Sequence, residues 1–442
     1  MCDRIHRGTN VVFKTFPYVP DTRPDANPNL SFNQNDARIL AQNGVTVIRL
    51  GVLWSGVEPE QGVYNHTYLE ELAKIVRYCG NEGIYVLLDF HQDLLNERFC
   101  GEGVPFYVVN ATTSNDFPSP LGQKYVTNDK GLPSAQDCDK FPWGVYHISS
   151  AVSKAYQNLY DNTNGILDSL LDFWEIVARH FVNFDNILGH DLINEPWLGD
   201  IYKDTHLLDK PQGVFTNQHI LEPFYDKIAE RIRSVNPDAI IFFEPTTLVQ
   251  KEVGFTSVPG GETQFGLKDT LGFRLDSAKE LSCGYFLSEY EMGWGTGGDN
   301  VPNILETIQV ADHFLLSTTG WDYKDYTISN GPPVFTGANN GLIDPDNHQV
   351  RPRMAKVWSR PYAHTIAGIP TLMQYNDETG EFQLQYEGSG MGGVTEIRTN
   401  FEHHFTNGMQ IEVSGTYDYV ISDQSIIIQS NDRKVTIKLN PK

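Results

Sequence analysis

The chain reads HDLINEPW at residues 190–197 and GYFLSEY at residues 284–290. Each run leads an apolar, strand-like stretch directly into a carboxylate, Glu195 in the first and Glu289 in the second. Two carboxyl groups in one cleft can cleave a glycosidic bond: one protonates the departing oxygen, and the other attacks the anomeric carbon or activates water. The two roles need different surroundings. The acid must keep its proton near neutral pH, which apolar or negative neighbours favour, and the nucleophile must stay ionised, which a donor such as Arg49 in VTVIRLG (45–51) supplies. Arg49 has a second reading, as the counter-charge of buried carboxylates. Glu291, two residues past Glu289, competes for the nucleophile's place; Glu289 is preferred because it ends the apolar run and is followed by Tyr290.

A scaffold must carry these side chains to one place. Strand-like runs occur at TNVVFK (9–14), VTVIRLG (45–51), IYVLLDF (84–90), ILGHDLIN (187–194), AIIFFEP (239–245) and GYFLSEY (284–290). They do not alternate polar with apolar residues, so both faces are buried, as in a parallel sheet wrapped by helices. Between them lie amphipathic runs. YLEELAKIVRYCGNEG (68–83) sets Leu69, Leu72, Val76 and Cys79 on one face and is expected to end at Gly80; ILDSLLDFWEIVARHFVNF (166–184) and HILEPFYDKIAERIRSVNP (219–237), stopped by Pro237, are two more. The fold expected is α/β, a (β/α)8 TIM barrel. In such a barrel, polar residues at the C-terminal strand ends line the active site. Lys14, His91, Asp93, Asn194, Glu195, Glu244 and Glu289 all stand there.

From about residue 360 the texture changes to short alternating segments, FQLQYE, MQIEVSG, YDYVIS, SIIIQS and KVTIKLN, which predict a β-sandwich. The expected division is a catalytic domain over 1–355 and a C-terminal β-domain over 356–442.

With 33 basic and 56 acidic side chains, the net charge is −23. That repels phosphate backbones and anionic membrane surfaces, so nucleic acid is excluded as a partner and a neutral or cationic ligand is expected. The 12% of aromatic residues suits a carbohydrate or lipid site. Five cysteines lack metal-ligand spacing, so no zinc cluster is indicated. Cys100 and Cys138 bracket a polar loop and are candidates for one disulfide, with free buried thiols as the alternative. The sequons at Asn29, Asn65 and Asn110 lean toward a secretory route. The segment MCDRIHRGTNVVF is too polar for a signal peptide, so a removed leader or a truncated start is expected.

The chain resembles the retaining glycoside hydrolases with (β/α)8 barrels, in particular glycoside hydrolase family 5. The family pattern is Asn-Glu-Pro ending the fourth strand and a Glu followed by an aromatic residue ending the seventh. By that resemblance Glu195 is the acid/base and Glu289 the nucleophile. Within the family the chain is similar to endoglycoceramidases and related glycosylceramidases through GTNVVFKTFPY (8–18), LLDFHQD (87–93), LINEPWLGDIY (192–202) and RPYAHTIAG (360–368). The resemblance implies that Lys14, His91, Asp93 and Asn194 bind the first sugar. Trp321, in GWDYKDY (320–326) after the eighth strand, would form a stacking wall; core packing is the competing reading for Trp321, and a hydrogen-bonded core residue for His91.

The reaction implied is hydrolysis of the bond between glycan or glucose and ceramide, with no metal or cofactor and with the two carboxyl groups about 5–5.5 Å apart. A soluble-glycan β-glucanase or β-glucosidase needs the same glutamates and is the alternative. The expected setting is a secreted, lysosomal or digestive-lumen monomer in peripheral contact with lipid micelles or membranes. VPFYVV (104–109) and FPWGVYH (141–147) are candidates for the groove that takes the lipid tails.

One stretch departs from the pattern. Only 39 residues separate Glu244 from Gly284, and LKDTLGFRLDSAKELS (267–282) reads as the helix before the nucleophile strand. A βαβ crossover alone takes about 30 residues. The best candidate for a sixth strand, TQFGL, is poor, and the family's His-x-Tyr at that strand's end is absent, since residues 245–284 contain neither His nor Tyr. A degenerate or missing sixth strand is therefore expected, with impaired folding or activity, or binding of glycolipid without turnover, as its consequence.

Overall fold

The computed structural model describes residues 3–110, 116–209, 213–247, 267–290, 301–324, 326 and 341–442. Parallel strands form a seven-stranded sheet: β2 (Arg7–Val11), β3 (Val47–Gly51), β4 (Tyr85–Asp89), β5 (Ile187–Asp191), β6 (Ile241–Phe242), β7 (Phe286–Leu287) and β8 (Ser317–Gly320). Their order is β6-β5-β4-β3-β2-β8-β7, which is sequential order closed through the β2–β8 pairing. This is the strand plan of a (β/α)8 barrel.

The unalternated strands divide their residues between two buried layers. In β3, Ile48 and Leu50 join the outer core with Leu69, Leu72 and Val76 from the helix His66–Asn81 and Phe173, Trp174 and Val177 from the helix Ile166–Phe181. Arg49, between them, turns into the barrel, fully buried. The helix His66–Asn81 runs through Gly80 rather than stopping there. It ends one residue later, at Asn81, and just beyond it Gly83 takes φ +71° and the amides of Gly83 and Ile84 donate to the carbonyls of Gly80 and Cys79. That pair of bonds satisfies the last carbonyls, and the left-handed position, rather than the first glycine met, decides the end. Among the described residues, no helix is long and apolar enough to cross a membrane.

The sheet's two ends are β6 and β7, and no described strand lies between them. TQFGL falls almost wholly outside the described residues. Side chains span the seam: the Phe242 and Phe286 rings meet edge to face at 5.5 Å, and the Ser288 hydroxyl donates to Glu244 at 2.9 Å.

Beyond the helix Pro352–Trp358 comes a sandwich of two antiparallel sheets. One is β1 (Asp3–Arg4), β9 (Tyr362–Ile366), β12 (Val394–Arg398), β15 (Ser425–Ser430) and β14 (Tyr417–Ile421); the other is β10 (Gly368–Tyr375), β11 (Phe382–Gly388), β16 (Lys434–Pro441) and β13 (Met409–Val413). Asp3 and Arg4 thus enter this sheet, because β1 pairs with β9. Ile5 packs into the sandwich core beside Ile366, Leu384 and Ile437. Arg7 and Arg360 share Asp312 at the junction with the barrel, at 2.5 Å and 3.5 Å.

Cys100 and Cys138 form the disulfide, while Cys79 is free and buried. The link pins the rim loop after β4 to the short helix Ala135–Cys138. Closing a loop of this length is worth roughly 4 kcal/mol on the chain-entropy model. The double variant Cys100→Ser with Cys138→Ser is expected to melt several degrees below the parent in a thermal scan; an unchanged midpoint would mean that the loop is held by packing alone.

Candidate active site

Strand register explains how the site assembles. Parallel pairing sets Asn10 opposite Arg49, and Asp89 opposite Asp191. A guanidinium so buried must have its charge met, and six acceptor side chains meet it here. Nε donates to Asp191 at 2.9 Å. One terminal nitrogen reaches Glu289 at 2.6 Å and Asn10 at 3.2 Å; the other reaches Asp89 at 2.9 Å, Asn194 at 3.0 Å and Glu244 at 3.3 Å. Both sequence readings of Arg49 describe it: it neutralises buried carboxylates and it grips Glu289.

Glu195 sits in different company. It follows Asn194 with φ +42°, a left-handed backbone that costs a non-glycine residue about 1 kcal/mol or more. Hydrogen bonds fix it there: its N–H donates to Glu244 Oε2 at 3.0 Å, and Gln92 Nε2 donates to the carbonyls of Asn194 and Glu195. Gln92 is itself held by the Tyr156 hydroxyl at 2.7 Å. Burial, then the negative charges of Glu289, Asp93 and Glu244, raise the Glu195 carboxyl to about 8, with Lys14 opposing. Burial also raises Glu289, but Arg49 and His91 pull against it, while Glu244 and Asp89 add to the rise. The two glutamates thus differ in company: burial and carboxylates surround Glu195, whereas Glu289 holds the contact with the Arg49 cation.

Lys14, His91, Asp93 and Trp321 form a second cluster, whose Asp93 and Lys14 act electrostatically on Glu195. Lys14 pairs with Asp93 and lies 3.0 Å from Glu102 Oε1. Burial disfavours its charge, yet these two carboxylates raise the ammonium above its usual range, and Asp93 is held well below the carboxylate range although burial opposes it. His91 Nδ1 contacts Asp89 at 2.8 Å; burial would lower the ring, but Asp89 with hydrogen bonding from Asp89 and Asp93 lifts it to about 9. Trp321 stacks on the His91 ring at 5.4 Å and lies 4.9 Å from the Lys14 ammonium. The Trp321 side chain is half-buried. His91, Asp93 and Glu102 have ligand atoms within 4.8 Å of one another, as a metal site would, but the Lys14 ammonium already serves as their cation.

The structure therefore brings together Lys14, Arg49, His91, Asp93, Asn194, Glu195, Glu289 and Trp321. Glu291, the competing nucleophile, lies outside the described residues. The sequence reading missed Asn10, Asp89, Gln92, Glu102 and Asp191. Asp89 and Asp191 had a signal, since a buried Arg49 inside a strand demands carboxylates on its neighbours. The proposed tail groove is mostly core: Val104, Val108, Val109 and Tyr146 are buried in the main cluster, because the rim loop folds back onto the barrel. Phe16, two residues beyond Lys14, is instead 83% exposed.

Replacing Arg49 by Met leaves its carboxylates without a counter-charge, at an expected cost of about 3–5 kcal/mol in denaturant unfolding. Arg49→Lys should recover little, since one ammonium cannot reach acceptors on five strand ends. Parent-like unfolding of the lysine variant would contradict the hub.

The cellulase (glycosyl hydrolase family 5) domain matches residues 22–275, and the glycoside hydrolase family 5 C-terminal domain matches residues 360–439. Two curated relatives are called endoglycoceramidase. The one from Cyanea nozakii is 34% identical over 93% of this chain and 84% of its own; that from Hydra vulgaris is 33% identical over 99% and 86%. Among solved structures, endo-glycoceramidase II from a Rhodococcus species, seen as a lactosyl-enzyme intermediate, shares the fold with a TM-score of 0.74 at 20% identity, covering 100% of this chain and 98% of that one. The chain belongs to glycosyl hydrolase family 5.

Proposed function

We propose that this chain is a retaining endo-acting glycosylceramidase. The observation that carries the mechanism is the charge asymmetry of the two glutamates, one facing carboxylates and the other gripped by Arg49. The likeness to endoglycoceramidases along almost the whole chain supports ceramide as the leaving group. The exposed Phe16, two residues beyond Lys14, supports an apolar aglycone met at the surface of glycolipid micelles.

In the first step a Glu289 carboxylate oxygen attacks the anomeric carbon as the Glu195 proton passes to the departing ceramide oxygen, leaving a glycosyl ester on Glu289. In the second, Glu195, now ionised, takes a proton from water, whose oxygen displaces Glu289 and releases the glycan. Asn194, His91, Lys14 and Asp93 would bind the sugar hydroxyls and Trp321 would stack on the ring, a reading supported by their clustering at the strand ends that carry the two glutamates. The Cys100–Cys138 disulfide supports a secretory or lumenal setting.

The test is hydrolysis of a fluorescent glycosylceramide by the purified chain beside Glu195→Gln and Glu289→Gln. Intact glycan and ceramide should be released, and both variants should lose about 10²–10⁴-fold or more. Hydrolysis of β-glucan but not of the glycolipid would favour a soluble-glycan enzyme; binding without turnover by a well-folded chain would favour a remnant disabled at the β6–β7 seam.

The pH dependence follows from the acid. Glu195 is protonated below its value of about 8, so kcat/KM on the ceramide substrate should fall as pH rises through about 8. An activated aryl glycoside, whose leaving group needs no proton, should show a weaker alkaline fall; equal limbs for both substrates would remove Glu195 from the acid's role.

A further inference from the structure

At the end of β6 stands a carboxylate that neither chemical step uses. Glu244 Oε2 accepts the backbone N–H of Glu195 at 3.0 Å. Its Oε1 accepts the Ser288 hydroxyl at 2.9 Å and an Arg49 N–H at 3.3 Å. Ser288 directly precedes Glu289, and its carbonyl accepts from Asn10 at 3.1 Å, so the peptide leading into the nucleophile is held from both sides. Tyr225 steadies the same corner by donating to the Glu244 carbonyl at 2.7 Å. One side chain thus touches the backbone of the acid and the neighbour of the nucleophile, and it does so across the two ends of the sheet, where no described strand joins them.

We propose that Glu244 is a positioning residue for both glutamates, clamping the Glu195 backbone and Ser288, the residue before Glu289, across the seam between β6 and β7. The geometry gives the reason the clamp is needed. Glu195 is in left-handed backbone, a conformation that persists only when surrounding bonds over-determine it, and Glu244 supplies the acceptor for its N–H. On the other side, the two-residue β7 pairs with β8, the one strand beside it among the described residues, and Ser288 just beyond it takes a lateral restraint from Glu244.

The clamp also carries charge. The groups facing Glu195 are Glu289 after β7, Asp93 after β4, Glu244 after β6 and Lys14 after β2. Neutralising Glu244 removes one of three carboxylates that favour the protonated acid. The inference rests on the assignment of Glu195 as the acid, and the experiment separates the two by reading Glu195 directly.

The test compares the full chain with Glu244→Gln, Glu244→Ala and Ser288→Ala. The Glu195 carboxyl, labelled with 13C and identified by its loss in Glu195→Gln, is titrated in each by NMR. Kinetics on a fluorescent glycosylceramide follow kcat and KM separately. Glutamine keeps an acceptor oxygen but not the charge, so the Glu195 midpoint should fall by about half a pH unit or more, with the alkaline limb of kcat/KM moving alongside it. Alanine should lower kcat by about tenfold or more with KM little changed. Ser288→Ala should lower kcat several-fold and leave the Glu195 midpoint in place. An unmoved midpoint in Glu244→Gln, or parent-like kcat in Glu244→Ala, would overturn the proposal. If the parent chain turns over no glycolipid, the titration still decides it.

Discussion

A single guanidinium in the middle of a barrel strand carries most of the consequences in this molecule. Arg49 is fully buried and reaches Asp89, Asp191, Glu244 and Glu289 as well as two asparagines, side chains that arrive from five other strand ends. Without it those carboxylates would repel one another in low dielectric; without them the charge would be uncompensated. Their mutual dependence fixes the strand register at one level of the barrel, and the asymmetry of the two glutamates follows. Glu289 touches the cation directly. Glu195, one strand end away, sees mainly carboxylates and burial.

Much of this was legible in the chain. The strand-like runs located β2 to β7, since residues buried on both faces leave an unbroken apolar stretch. The polar residues at their ends gave Lys14, His91, Asp93, Asn194, Glu195 and Glu289. Less legible were residues whose roles arise from cross-strand register. Asn10 and Asp191 look like isolated polar residues until pairing sets them beside Arg49 and Asp89. The rim misled for another reason: apolar runs such as VPFYVV resemble a lipid groove, yet the loop pinned by Cys100–Cys138 folds its valines inward. Gly80 misled because a glycine inside a helix costs only about 1 kcal/mol, and the left-handed turn falls at Gly83 instead. The sandwich gained β1 from the start of the chain, a pairing that no local pattern announces.

At the seam between β6 and β7 no described strand joins the two ends of the sheet, and a strand edge exposes unpaired backbone groups. Among the described residues, side chains that meet across the seam include an aromatic pair, Phe242 with Phe286, and the hydrogen bond from Ser288 to Glu244. Glu244, an ordinary-looking end to AIIFFEP, thereby sits at the junction of fold and chemistry.

The central claim is that Glu289, gripped by Arg49, is the group that takes the glycosyl residue. Its most direct measurement is covalent trapping with an activated 2-deoxy-2-fluoro glycoside, which slows hydrolysis of the ester, followed by peptide mapping by mass spectrometry. The arrangement described here predicts one adduct, on Glu289, forming with the parent chain and with Glu195→Gln when the leaving group needs no protonation. An adduct on Glu291 or Glu244, or turnover of the same compound with anomeric inversion and no trapped ester, would contradict it.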